Sequence, residues 1–317
     1  MTECERLINK GFIGRGFFEE EVRCEYTIST QMKKAWAIEM DLYVELERVC
    51  KKHNLRFFAI GGTLLGAIRH NGFIPWDDDM DIVMPREDYE KLCKLYHNEF
   101  HSPYFLQTPD TDPGYYFSFA KLRNSNTTCI SMPFRNSLFN QGIDIDIFPL
   151  DYIDISNAEG KNKAIRVSIM KCSSYMKIGS EEYLNERQMA NFNKYNTNNP
   201  REEYDNIQLL AQSFGKTDHL GINVCTIYPF LRLSWPAHCF EEVEDHRFEH
   251  ISVAIPKGWH EILSICFGNY MQFPPVEVRG TWHPGEFWDA DLPYTDFLLP
   301  NREGWNLLKI GKYPNCL

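Results

Sequence analysis

A glycine turn follows an apolar segment early in the chain. The apolar residues 57–60 lead directly into Gly61, Gly62 and Thr63. A buried strand that ends in a tight glycine turn before a helix brings the backbone close to phosphate oxygens. We therefore predict that these three residues cradle a phosphate. A Cβ at Gly62 would take the place of a phosphate oxygen, and it would disfavour a positive φ there.

Four aspartates lie within residues 77–81, where only Met80 interrupts the carboxylates, and the apolar residues 82–84 follow. This order predicts a second strand. Side chains alternate faces along a strand, so Asp79 and Asp81 are expected to point the same way. Two carboxylates on one face suit Mg²⁺ or Mn²⁺, which bind carboxylates together with substrate phosphates. The alternative is a solvated acidic loop or an Asx turn, which the nearby glycine turn makes the weaker interpretation.

Residues 61–69 and 74–82 carry a resemblance to a known family. They read Gly-Gly-Thr-Leu-Leu-Gly-Ala-Ile-Arg and Ile-Pro-Trp-Asp-Asp-Asp-Met-Asp-Ile. This pair of motifs resembles the signature of the LicD family of phosphorylcholine transferases, which is related to fukutin and the fukutin-related protein. The resemblance implies the nucleotidyltransferase-superfamily fold, an α/β (α+β) structure in which helices flank a mixed sheet. It also implies that Asp79 and Asp81 form the metal-binding Asp-x-Asp of that superfamily.

A second informative stretch spans residues 142–151, in which isoleucine and aspartate alternate from 143 to 147. This alternation predicts a strand with Asp144 and Asp146 on one face and three isoleucines in the core. The stretch resembles the Asp-Ile-Phe-Pro-Leu-Asp segment of LicD-like proteins, which implies that Asp146 is the third carboxylate of the metal site. Asp144 is its nearest competitor. A rise of about 3.3 Å per residue predicts roughly 6–7 Å between the two carboxylates, so only one is expected to be essential.

Basic residues are predicted on a neighbouring strand. Residues 104–107, 115–122 and 127–130 are short aromatic and β-branched segments between turn residues, which is typical of strands. Lys121 and Arg123 share one face of the middle segment. A Lys-x-Arg followed by Thr occupies this place in LicD-like chains, which implies that both cations neutralise a nucleotide phosphate. The alternative is an edge strand that its cations keep soluble.

The resemblance extends to the C-terminal part and covers about residues 34–285. Residues 267–271 and 274–279, Phe-Gly-Asn-Tyr-Met and Pro-Pro-Val-Glu-Val-Arg, resemble the Tyr-Gly-Asp-Tyr-Met and Pro-Pro-x-x-x-Arg elements of the family. Arg279 and His283 could reach a phosphate or the acceptor. A packed surface residue is the alternative for His283. Arg69, which closes the first motif, is expected to stabilise the diphosphate together with Lys121.

Helical segments complete the predicted architecture. Ser29 or Thr30 is expected to cap a helix that ends near residue 53, and residues 86–100 predict another helix. Residues 157–214 predict two or three amphipathic helices broken near 196–200, to which we assign no chemistry. We expect an N-terminal arm (1–30), one catalytic domain (31–285) with this helical annex at about 157–214, and a C-terminal tail (286–317) packed on the domain.

Composition excludes some classes of function. The formal net charge of −11 argues against a nucleic-acid groove, which needs an excess of Lys and Arg on one face. The ten cysteines include no C-x-x-C pair, and the first residues lack the apolar core of a signal peptide. No apolar run approaches the roughly 18 residues of a membrane span. We therefore expect a cytoplasmic protein with reduced thiols, without an integral membrane segment.

The resemblance implies a specific reaction. A LicD-like enzyme would move a phospho-alcohol, phosphocholine or a related phospho-polyol, from a CDP-activated donor to a hydroxyl of a cell-surface glycan or its precursor, such as lipopolysaccharide or teichoic acid. Mg²⁺ or Mn²⁺ would be the cofactor, held by Asp79, Asp81 and Asp146. Two alternatives stay open. One is a nucleotidyltransferase that uses an NTP and releases pyrophosphate, and the other is a non-catalytic nucleotide-binding or sugar-binding module.

Overall fold

The main sheet is built around one long strand, β8 (Ile143–Ile153). The computed structural model describes residues 1–131, 134–135, 137–178, 190, 199–222, 234–280 and 286–297, with only the backbone described at 168–169, 171–178 and 286. In chain order the other strands are β1 (Glu21–Arg23), β2 (Tyr26–Ile28), β3 (Phe58–Ala59), β4 (Asp81–Pro85), β5 (Tyr104–Gln107), β6 (Ala120–Asn124), β7 (Thr128–Ser131), β9 (His219–Gly221), β10 (Ser234–Pro236), β11 (Val243–Phe248), β12 (Ile251–Pro256) and β13 (Glu286–Asp289). The α-helices are α1 (Glu3–Asn9), α2 (Thr30–His53), α3 (Gly61–His70), α4 (Arg86–Lys94), α5 (Tyr96–Glu99), α6 (Ala158–Ile178), α7 (Pro200–Gln212) and α8 (Trp259–Phe267).

Strand β8 pairs with three neighbours. It runs parallel to β4, and it runs antiparallel to β6 through its first half and to β9 through its last residues. Strands β3, β5 and β10 extend the sheet beyond β4, β6 and β9, which gives seven strands among the described residues. The core-facing positions Ile143, Ile145 and Ile147 are fully buried. The predicted α+β fold with a mixed sheet is therefore confirmed, and so is the alternation along β8.

Helix α2 packs against β6 and β8 and buries a continuous face that includes Trp36 and Tyr43. Its N-cap is Ser29, whose hydroxyl accepts a hydrogen bond from the N–H of Met32 at 3.2 Å. At its C-terminal end, Asn54 adopts the left-handed conformation that closes a helix. The predicted helix is confirmed, and Ser29 is the capping residue of the two candidates.

Three predicted elements differ in their bounds. Strand β4 begins only at Asp81, so Asp79 lies in the preceding loop and the prediction that both share a strand face is wrong. The strand predicted from residue 115 begins at Ala120. The hydroxyl of Tyr115 donates to the carbonyl of Phe119, which closes the intervening residues into a loop. The helix predicted over 86–100 is divided into α4 and α5.

The predicted annex contains α6 and α7, and α7 packs against β8. Asn199 caps α7 by accepting a hydrogen bond from the N–H of Glu202, next to the predicted break. Residues 179–189 and 191–198 lie outside the described part. Across the described helices, none combines the length and apolarity needed to cross a bilayer. The cysteines whose side chains are described form no disulfide bonds.

Replacing the N-cap of α2 tests the capping geometry. We expect Ser29→Ala to lower the free energy of unfolding by about 1 kcal/mol, because one N–H of the first turn loses its acceptor. The control is Thr30→Ala, which removes an exposed hydroxyl inside the first turn and should have little effect. Urea denaturation measures both variants. A larger loss in Thr30→Ala than in Ser29→Ala would contradict this assignment of the cap.

Candidate active site

Three charged residues form a row across three adjacent strands. Asp81 on β4 pairs in register with Asp146 on β8, and Asp146 pairs with Lys121 on β6. Residues in register on neighbouring strands project from the same face of a sheet. The Nζ of Lys121 lies 2.6 Å from Oδ1 of Asp146, as an ion pair. The fold therefore places two predicted metal ligands and one predicted phosphate-binding cation side by side.

Asp144, two residues earlier on β8, binds two cations. Its Oδ2 lies 2.5 Å from Nζ of Lys121, and its Oδ1 lies 2.6 Å from Nη1 of Arg123. Arg123 is buried and also donates to Oε1 of Gln107 and to the carbonyl of Gly142. Nε and Nη1 of Arg123 thus donate to groups within the protein. Contact of Lys121 and Arg123 with a nucleotide phosphate stays a prediction.

Asp144 and Asp146 lie closer together than we predicted. Because an oxygen of each lies within 2.6 Å of the same Lys121 nitrogen, these two oxygens are no more than about 5 Å apart. One cation therefore contacts both carboxylates, and for these two oxygens the predicted separation of roughly 6–7 Å is wrong. That only one of the two aspartates is essential stays a prediction. The cause is that neighbouring side chains on one strand face can lean toward a common charge.

The two carboxylates differ in electrostatic environment. Burial would raise the pKa of Asp144, but the positive charges of Arg123 and Lys121 outweigh it and hold that pKa below its usual range. Burial raises the pKa of Asp146 above its usual range, and the charge of Asp144 adds to this although Lys121 opposes it. The protein itself thus compensates the charge of Asp144 more fully than that of Asp146.

The acidic run itself is compact and mostly buried. One carboxylate oxygen from each of Asp77, Asp78 and Asp79 lies within 4.8 Å of the others. Asp77 and Asp78 are only 6% and 3% exposed. The indole N–H of Trp36 donates to the carbonyl of Asp77 at 3.0 Å, which ties the run to α2. Carboxylates at this spacing away from water repel one another, so the run has the donor set that a hard divalent cation prefers.

The glycine turn is in contact with these carboxylates. A Cβ built on Gly61 would lie 2.9 Å from Oδ2 of Asp81, and one built on Gly62 would overlap Oδ2 of Asp77. Gly61 has a positive φ of 58°, whereas Gly62 does not, so our prediction of a positive φ at Gly62 is wrong. The glycines are needed here because carboxylate groups approach the backbone. Phosphate binding by the turn stays a prediction.

Thr63 has a structural role that the sequence did not indicate. Its hydroxyl accepts a hydrogen bond from the backbone N–H of Asp81 at 2.8 Å, which fixes the first residue of β4 against the first turn of α3. The N-cap of α3, Ile60, offers no side-chain acceptor to that first turn. The amide groups of a helix N-terminus favour an anion. A phosphate could therefore bind there through backbone groups, without the Thr63 hydroxyl.

The sequence did not predict that Cys129 and Trp288 lie near the carboxylates. A cavity of about 50 Å³, roughly the space of three waters, is lined by Asp78, Asp79, Lys121, Cys129, Asp144, Asp146 and Trp288. Trp288 belongs to the predicted C-terminal tail, which we expected only to pack on the domain, and it does pack against the core. It reaches the cavity because β13 pairs with β7, where Trp288 lies opposite Cys129. No local pattern predicts a pairing between strands so distant in the sequence.

Arg69 and Arg279 lie together, at the far end of α3 from the glycine turn. Their guanidinium groups lie 5.0 and 5.8 Å from the ring centre of Phe273. Arg69 donates to the carbonyl of Tyr270, and Arg279 donates to the carbonyls of Cys24 and Pro274. Arg279 also lies 5.0 Å from the ring centre of Trp76, next to the acidic run. His283 lies outside the described residues.

A family model matches the part of the chain that builds this site. The model is described as "LicD/FKTN/FKRP, nucleotidyltransferase domain", and it matches residues 54–202. That range includes the glycine turn, the acidic run and the charged residues of β6 and β8. Residues 54–202 therefore form a domain of the LicD family. The predicted family and the nucleotidyltransferase-type fold are thereby confirmed.

Curated relatives agree with this family. The chain is 26% identical to the lipopolysaccharide cholinephosphotransferase LicD of Haemophilus influenzae over 237 residues, which cover 74% of this chain and 89% of the relative. It is 39% identical to an uncharacterised protein of Rickettsia prowazekii over 77 residues, covering 24% of this chain and 27% of that protein. An uncharacterised protein of Rickettsia typhi is 43% identical over 56 residues, 18% of each chain. The likeness to LicD also confirms the predicted enzyme class, a phosphotransferase.

Gly62→Ala tests the contact between the glycine turn and the acidic run. The added methyl group would displace the carboxylate of Asp77, so we expect Mn²⁺ affinity, measured by calorimetry, to fall at least about tenfold, or about 1.4 kcal/mol. The matched control is Gly16→Ala, where a Cβ meets no atom within 4 Å and φ is not positive. Unchanged Mn²⁺ affinity with weakened donor binding would instead favour our original phosphate interpretation of Gly62.

Proposed function

We propose that this LicD-family protein moves a phospho-alcohol, phosphocholine or a related phospho-polyol, from a CDP-activated donor to a hydroxyl of a cell-surface glycan or its precursor. The observation that carries the proposal is the row of Asp81, Asp146 and Lys121 beside the acidic run, within a domain of this family. The name of the Haemophilus influenzae relative supports phosphocholine as the group transferred and lipopolysaccharide as a type of acceptor.

The proposed cofactor is Mg²⁺ or Mn²⁺, bound by Asp79, Asp81 and Asp146. Two observations support this choice: one oxygen from each of Asp77, Asp78 and Asp79 lies within 4.8 Å of the others, and Asp81 lies in register with Asp146 on the next strand. Hard divalent cations prefer such oxygen ligands. When bound, such an ion supplies positive charge that polarises the phosphoryl oxygens. Asp144 is not among the proposed ligands, since Arg123 and Lys121 already compensate its charge.

The remaining roles belong to groups of the protein. In the reaction, an acceptor oxygen bonds to the phosphorus that carries the alcohol, the bond from that phosphorus to CMP breaks, and the hydroxyl proton passes to a carboxylate. Asp146 is also the proposed proton acceptor, through a carboxylate oxygen that the ion would not bind, because it lies beside Asp81. Backbone N–H groups of residues 61–63 would bind donor phosphate, and Lys121 would compensate charge on the departing CMP.

Arg69 and Arg279 are proposed to bind the donor or acceptor at the edge of the site. Both guanidinium groups contact Phe273, and Arg279 also contacts the ring of Trp76 next to Asp77. Burial lowers the pKa of Arg69, as does the neighbouring charge of Arg279. Two cations held this close together favour an anionic ligand. His283 stays a predicted contributor to the same region.

A product-release assay tests the reaction. Purified protein is incubated with Mn²⁺ or Mg²⁺, a glycan acceptor, and CDP-choline, CDP-ribitol, CDP-glycerol or an NTP. We expect CMP release that depends on both metal and acceptor with one of the CDP donors. Pyrophosphate release from an NTP would favour the nucleotidyltransferase alternative. Binding of a CDP compound without turnover across a full acceptor set would favour the binding-module alternative.

Asparagine substitutions test the proposed ligands. We expect Asp79→Asn and Asp81→Asn each to reduce turnover to less than about a tenth of the wild-type rate, because each removes an anionic ligand and costs more than about 1.4 kcal/mol. Circular dichroism should show an unchanged fold. The control is Asp245→Asn, an exposed aspartate on β11. Activity retained in either site variant would count against the metal assignment.

Asparagine substitutions of the two aspartates of β8 are expected to have different effects. Asp146→Asn should lower kcat at least roughly a hundredfold, or about 2.7 kcal/mol, with stability retained. Asp144→Asn should lower kcat about tenfold or less at saturating metal, and it should destabilise the fold by roughly 3 kcal/mol because the charge of Arg123 stays buried without its carboxylate partner. Kinetics and urea denaturation on the same samples separate the effects. A larger loss of kcat in Asp144→Asn than in Asp146→Asn would assign the role of third carboxylate to Asp144 instead of Asp146.

A further inference from the structure

Glu39 is a buried carboxyl group that packing does not explain. It lies on α2 with no exposed surface, and neither of its carboxyl oxygens has a hydrogen-bond partner among the described residues. Leaving a buried polar group without a partner costs roughly 1–3 kcal/mol, and an unpaired charge costs more. The neighbouring positions Ile38 and Met40 are fully buried apolar residues. An apolar side chain would suit this position of α2 better if packing were its purpose.

The surroundings of Glu39 are acidic. Trp36, one turn earlier on the same face of α2, donates its indole N–H to the carbonyl of Asp77 and so holds this face against the acidic run. Burial raises the pKa of Glu39 well above its usual range, and the charges of Asp79, Asp78, Asp144 and Asp77 raise it further. Glu39 therefore lies in the electrostatic field of these four aspartates, on the helix rather than on the sheet.

A second cluster with metal-binding side chains provides a contrast. His238, Cys239 and Glu261 also lie close together, but these side chains hydrogen-bond to one another. Nε2 of His238 lies 3.0 Å from Oε2 of Glu261, and the thiol of Cys239 donates to the same oxygen. Their positions are explained without any ion. The oxygens of Glu39 have no such explanation, since neither has a hydrogen-bond partner among the described residues.

We propose that Glu39 binds the divalent cation of this site together with the acidic run. The inference rests on the proposed metal dependence and adds a ligand that the strand motifs do not contain. A hard divalent cation is the partner that fits, because it accepts several carboxylate oxygens at once and removes their mutual repulsion. Helix α2 would then hold one side of the ion and the loop before β4 the other.

Calorimetric titration with Mn²⁺ tests this role without any substrate. We expect the wild type to bind Mn²⁺ and Glu39→Gln to bind at least about tenfold more weakly, because the amide keeps the shape but loses the charge. Mn²⁺ should also raise the Tm of the wild type and leave that of Glu39→Gln almost unchanged. The control is Glu47→Gln on the same helix, which removes only a surface ion pair with Lys51.

Glu39→Met provides a second test in case the amide of Glu39→Gln disturbs folding. In the presence of a chelator this variant should be at least as stable as the wild type, because an unpartnered polar group is replaced by an apolar one, and it should still lose Mn²⁺ binding. Wild-type Mn²⁺ binding with unchanged affinity in both variants would show that Glu39 is a neutral structural group and overturn the inference alone. Absence of Mn²⁺ binding in the wild type would overturn the proposed metal dependence as well.

Discussion

Repulsion between buried carboxylates is the constraint on which the site depends. Strand β8 brings its two aspartates beside Asp81, and the loop before β4 adds three more acidic side chains next to the first turn of α3. The fold offsets part of this repulsion with Lys121 and Arg123. Both cations lie on β6, so they compensate the β8 side of the cluster. On the loop side, the N-terminus of α3 and, in our proposal, a divalent cation would offset the repulsion.

Because the cations compensate the two aspartates of β8 unequally, Asp144 and Asp146 are suited to different roles. Asp144 orders two cations and is the carboxylate that the protein keeps ionised, since both positive charges contact it. Asp146 shares one of those cations, and its ionisation is opposed by burial and by Asp144. A group with these properties is better suited to exchange a ligand or a proton than to hold the structure together. The alternating sequence of β8 gives both aspartates the same face, but the neighbouring strand distinguishes them.

Sequence patterns correctly predicted the elements whose structure follows from the residues of one short segment. The alternation of 143–147 specified β8 and its buried face, and the apolar stripe after Ser29 specified α2. They did not predict that β4 starts at Asp81, because tertiary contacts such as the hydrogen bond from Trp36 to Asp77 hold the acidic run in a loop. Trp288 and Glu39 were missed for the same reason. Each reaches the site from an element whose own sequence indicates only packing.

The contact between the glycine turn and the acidic run links the two ligands of the proposed reaction. The carboxylate of Asp77 lies against Gly62 at the N-terminus of α3, where a donor phosphate is proposed to bind. Two anions cannot occupy neighbouring positions in a buried site unless a cation neutralises one of them. A divalent cation on the acidic run would therefore be needed before the helix N-terminus could accept a phosphate. In the proposed reaction, the same glycines that let the carboxylates approach the backbone would thus make donor binding depend on the metal.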